Sequence, residues 1–121
     1  MKSTGFILLA AALFFSFTGI LKAQENPQVD SLLTLLETVK GKERLEILTS
    51  LAEDEALSLD ERINFAEESI ETAADLGEVK DLVESHILLG RIHYYVDENE
   101  EALQSFEMAY QISENEGYED G

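Results

Sequence analysis

The chain has 121 residues, 26 acidic against 8 basic, a net charge of −18, one proline and no cysteine. That length leaves room for one small domain, and the lack of thiols excludes both a disulfide framework and a thiolate metal site. Nucleic acid is a poor partner because phosphate contacts need Lys and Arg clusters; the electrostatic complement of this chain is a basic peptide or a cationic protein.

Met1-Lys2 opens the chain with a cation, and an apolar run follows from Phe6 to Leu21. The run is marginal for a membrane span and suits the core of a signal peptide over residues 1–23, with the small Ala23 before the cut and Gln24 as the first mature residue. Losing Lys2 and Lys22 leaves 6 basic against 26 acidic residues. Export to the periplasm or cell envelope is the expectation, with membrane contact only through the leader or a missing downstream segment. Without cysteine a lipoprotein anchor is excluded.

A polar linker over 24–28, marked by Pro27, leads into a chain rich in Ala, Leu and Glu, which favours helix throughout. Val29, Leu32, Leu33, Leu36 and Val39 recur at helical spacing, so the first helix is expected over 28–39, ended by Lys40 and Gly41. A second is expected over 42–57, burying Leu45, Leu48, Leu51, Ala52 and Ala56. Ser58 and Glu61 form a capping-box pattern that starts a third, running to Leu76 before Gly77. The fourth, 79–96, is apolar over a wide arc (Leu82, Val83, His86, Leu89, Ile92, His93 and Val96, with Ile87 and Leu88), as a helix sandwiched between two neighbours would be. A fifth follows the acidic turn at Asp97, Glu98, Glu100 and Glu101, whose charges complement a helix start.

The most specific signal lies in the last two helices. Gly90 interrupts a helical pattern at a cost of about 1 kcal/mol relative to alanine, which implies a close backbone approach. Ala102, Phe106 and Ala109 then present small, large and small side chains on the next helix. With Leu89 before the glycine, these residues resemble the tetratricopeptide repeat (TPR) family, whose helix-turn-helix unit of about 34 residues carries that pattern. His86, His93, Asp97 and Asn99 depart from it. The good repeat spans about 83–116 and a degenerate one about 42–77. Setting Gly77 against Gly117 lays Ala66, Ser69, Ile70 and Ala73 over Phe106, Ala109, Tyr110 and Ser113.

The resemblance implies an all-α fold over 29–121, antiparallel helical hairpins stacked as a short α-solenoid, similar to exported TPR regions of Bacteroidetes-type proteins. It also implies a ligand-facing set on the fourth helix: Glu84, Ile87, Arg91, Tyr94 and Tyr95. Arg91, Tyr94 and Tyr95 fall off the Leu82–His86–Leu89–His93 packing line, and tyrosine pairs apolar area with a hydrogen-bonding end.

For chemistry the sequence offers little. His86 and His93, two turns apart, are too distant for one metal ion without ligands from a third helix, and their positions suit half-buried packing. The acidic turn lacks the ligand spacing and glycine of a calcium loop. No phosphate loop, nucleophile–base pair or paired catalytic acid stands out, so no enzyme, cofactor or metal is expected. The reading is a non-enzymatic protein–protein interaction module, the N-terminal part of a longer repeat array, binding a protein or peptide. The alternative is the periplasmic sensory region of a histidine kinase or transcriptional regulator.

Overall fold

The computed structural model describes residues 26–116, which form five helices: α1 Pro27–Leu36, α2 Gly41–Glu53, α3 Leu59–Leu76, α4 Val79–Tyr95 and α5 Asn99–Glu116. The expected leader over 1–23, its cut before Gln24, and Gly117 lie outside the described residues. Among the described residues there is no strand, and no helix is long and apolar enough to cross a membrane. Each helix packs on the one before it and the one after it, so the all-helical expectation holds and α4 lies between α3 and α5.

Helix ends are set by local chemistry, not always where the periodicity suggests. The Asn26 side chain accepts from the Val29 N–H at 3.1 Å and Pro27 occupies the first turn, where a missing N–H costs nothing. The helix therefore begins inside the expected linker. It stops at Leu36, short of Val39. Thr38 and Val39 are β-branched and enter a tight turn whose N–H groups both return to the Leu35 carbonyl, while Arg44 Nη1 donates to the Leu36 carbonyl at 3.0 Å. Gly41 does not end α1; with φ of 63° it opens α2.

The second helix ends at Glu53, not at residue 57. Asp54 leaves the helical conformation and its carboxylate accepts from the Ala56 N–H at 2.9 Å, a side-chain turn that competes with helix. Ala56 is consequently exposed, and Leu57 enters the core from the turn in its place. Ser58 and Glu61 do form the reciprocal capping box that opens α3, and Gly77, left-handed at φ 74°, closes it.

Two apolar clusters share Phe65 at their border. One joins Val29, Leu51 and Leu57 beneath α1; the other joins Ala52, Ala66, Leu88 and Ile92 between α2, α3 and α4. Helix α5 is held differently. A Cβ added at Gly90 would lie 2.5 Å from Phe106 Cε1 and 2.7 Å from Cδ1, so the ring occupies the place a side chain would take. Ala102 and Ala109, each 3% exposed, let the backbones close on either side.

Burial also fixes how the two hairpins correspond. On α3 the buried residues are Ala66, Ser69 and Ala73; on α5 they are Ala102, Ser105, Ala109 and Ser113. Ala66, Ser69, half-buried Ile70 and Ala73 thus match Ala102, Ser105, half-buried Phe106 and Ala109. The register expected from Gly77 and Gly117 is four residues too long, because it aligned helix ends whereas packing aligns the small residues. The α2–α3 turn, residues 54–58, is longer than the α4–α5 turn, residues 96–98, which absorbs the remaining difference at Ala52 and Gly90.

Candidate partner-binding groove

Residues four apart on α2, Leu45, Thr49 and Glu53, share a face with which a row on α4 lines up: Asp81, Glu84, Leu88 and Arg91. The two rows enclose a depression of about 320 Å³. It continues at one end into a second, of about 320 Å³, past Lys42, Glu46 and Ser50. At the other end a third, of about 300 Å³, reaches Glu55, Arg62, Ile92 and Tyr95. Shared lining residues make these one groove along the α2–α4 seam: Leu45, Thr49, Asp81 and Glu84 on one side, Glu53, Leu88 and Arg91 on the other.

The floor is apolar, formed by Leu45, Leu88 and Ile92, which are all buried. Its ends are tied by charge. Lys42 Nζ donates to Asp81 Oδ2 at 2.6 Å, clamping the start of α2 to the start of α4. That hydrogen bond holds the Asp81 carboxyl below its usual range and raises the Lys42 ammonium above its own. Ser85, one turn along, donates to the Asp81 carbonyl at 2.9 Å. At the other end Arg62 Nε donates to the Ala52 carbonyl at 2.8 Å, capping the last turn of α2 from α3.

Between these ties the groove walls carry charges that the protein does not use. Among the described residues Glu53, Glu84 and Arg91 have no side-chain hydrogen bond or ion pair, although all three line the same depression. Arg91 thus stands as an unpaired cation among carboxylates, over an apolar floor.

Of the five positions expected to face a ligand, Glu84, Ile87 and Arg91 line the central depression and Tyr95 its far end. Tyr94 lines none of the three; its ring meets Tyr95 edge-on with centroids 6.1 Å apart. The tyrosines are 60% and 76% exposed, so neither is spent on the core. Gly90, Ala102, Phe106 and Ala109 lie at the α4–α5 crossing, where they pack, while Leu89 packs against the Ala52, Ala66, Leu88 and Ile92 cluster between α2, α3 and α4.

The histidines also pack. His86 is half-buried, and burial lowers its pKa from the ordinary 6.5. His93 Nδ1 lies 2.8 Å from Glu98 Oε1 across the α4–α5 turn, where Asp97 takes the left-handed φ of 64° that glycine would usually supply. Among the described residues no three His, Asp or Glu side chains converge as metal ligands would.

The sequence reading missed the α2 wall and both clamps. Lys42 and Asp81 are distant in sequence, and nothing local marks either as a partner. Asp81 does carry a signal in retrospect: it is a carboxylate on the face of α4 that also bears Ser85 and Leu88, a buried row. Comparison with protein-family models, curated proteins and solved structures finds no match.

Proposed function

We propose that this chain is a non-enzymatic interaction module, an exported TPR-like scaffold, whose α2–α4 groove takes an extended, basic segment of a partner protein. The observation that carries this reading is the groove itself: a continuous seam with an apolar floor, formed by the first helix of each hairpin and walled in part by Glu53 and Glu84, which have no internal partners among the described residues. An apolar floor supplies affinity, and unpaired wall charges supply orientation and rate. Lys or Arg side chains of the partner would meet Glu53 and Glu84, while Arg91 would take a carboxylate or carbonyl and so fix the direction of the bound chain. Repeat modules present surfaces of this kind without catalysing anything. The Gly90–Phe106 crossing and the matched small residues of α3 and α5 support the TPR-like reading of the hairpins.

The test is selection from a random peptide library on the immobilised protein, followed by affinity measurement for the recovered peptides. The reading expects enrichment of Lys and Arg, affinity that weakens as salt rises, and losses on Arg91→Ala and Tyr95→Ala with the melting temperature unchanged. Recovered peptides without basic enrichment, or bound equally well by both variants, would contradict it.

A further inference from the structure

The last helix offers a second surface, independent of the groove. Among the described residues α5 packs chiefly on α4, using Ala102, Ser105, Ala109 and Ser113. Leu103 and Tyr110 point elsewhere and are 57% and 63% exposed. They are seven residues apart, two helical turns, so they form one stripe with a spacing of about 10 Å. Phe106 flanks the stripe on the side where its ring meets Gly90. On the opposite side runs a row of Glu100, Glu107 and Glu114, again seven apart, all exposed. None of the three has a hydrogen bond or ion pair among the described residues, and α5 contains no Lys or Arg.

Apolar residues repeating every seven positions beside a row of like charges make half of a two-helix seam, in which the flanking charges choose the partner. A second copy is the wrong occupant, since pairing α5 with itself would bring the glutamate rows of two already acidic chains together. We propose that α5 docks a basic amphipathic helix of another protein, whose apolar residues repeat every seven positions and whose Lys or Arg residues face Glu100, Glu107 and Glu114.

The probe is a synthetic helix about three heptads long, with leucines along one seam and lysines flanking them, and a scrambled peptide of identical composition as control. Fluorescence anisotropy with the purified protein should show salt-sensitive binding of the patterned peptide and at least about tenfold weaker binding of the scrambled one. Leu103→Gln with Tyr110→Gln, and separately Glu100→Gln with Glu107→Gln and Glu114→Gln, should each weaken binding by a similar factor. Circular dichroism should show both variants folded, because every altered side chain is exposed. Groove substitutions Arg91→Ala and Tyr95→Ala should leave this binding unchanged, which separates this proposal from the groove reading. Equal binding of the scrambled peptide, insensitivity to the α5 variants, or loss on the groove variants would overturn the proposal. So would dimerisation of the protein alone that Leu103→Gln abolishes, since that would make a second copy the occupant.

Discussion

Replacing Gly90 by alanine should be neutral or destabilising when Phe106 is present and stabilising when Phe106 is gone. In an exposed helix interior, Gly→Ala gains about 1 kcal/mol from backbone propensity. Here the new Cβ would fall 2.5–3.0 Å from three ring carbons of Phe106, closer than real contacts allow, so the ring must move. Overpacking of this kind costs roughly 1–3 kcal/mol, which leaves Gly90→Ala between neutral and about 2 kcal/mol destabilising. Phe106→Ala alone should cost less than the roughly 3–5 kcal/mol of a core phenylalanine, because the ring is only half-buried. In that background no ring remains to collide with, and Gly90→Ala should now stabilise by about 1 kcal/mol. The coupling between the two sites, about 1–3 kcal/mol, is the measurable quantity. Urea denaturation of the four proteins gives it directly, and in a domain this small each kcal/mol moves the melting temperature by roughly 4–8 °C. If Gly90→Ala has the same effect in both backgrounds, the glycine is not there to admit the ring.

Three further outcomes follow from the same geometry. Ser58→Ala removes one half of the capping box at the start of α3 and should cost about 1 kcal/mol, while Ala56→Ser, at an exposed turn position, should cost little. His86 has a folded-state pKa below 6.5, so the unfolded chain takes up its proton first as pH falls; the stability contributed by neutral His86 is complete above 6.5 and declines below it. Because protonating the many carboxylates also relieves repulsion, the check is the difference in stability between wild type and His86→Gln at pH 7.5 and 5.5, which should shrink at the lower pH. Asp81, lowered from 3.8, contributes stability above that value and loses it as pH falls through its folded pKa; Lys42, raised from 10.5, contributes below that value and loses it as pH rises further. The Lys42–Asp81 contribution should therefore be level between about pH 5 and 9, and Asp81→Asn should lower the urea midpoint by the same amount across that window and by progressively less as the pH falls below 3.8.

The two hairpin features that the sequence displays most openly, the Ser58–Glu61 box and the Gly90, Ala102, Phe106, Ala109 spacing, depend on residues within one or two helices, where periodicity and size carry the information. Helix ends were less legible because single side chains decide them. Asp54 stops α2 by accepting from its own neighbour's N–H, and Arg44 takes the Leu36 carbonyl from another helix. Apolar spacing contains neither fact. On the α4 side of the groove, Glu84, Ile87, Arg91 and Tyr95 came from the family resemblance and not from apolar spacing, whereas Thr49 and Glu53 face them only once α2 and α4 are brought alongside. Tyr94 lies outside the three depressions while its neighbour Tyr95 lines one of them, since successive positions on a helix differ by about 100° in direction.

The central claim is that the α2–α4 seam is where a basic partner segment lies. Chemical-shift mapping of the isotopically labelled protein, titrated with a lysine-bearing peptide recovered from the library, tests it most directly. The account predicts that the amides of Thr49, Glu53, Glu84, Ile87 and Arg91 move together and saturably, with α1 and the outer face of α3 unmoved. Shifts centred on α1 or α3, or spread evenly over the acidic surface without saturation, would contradict it.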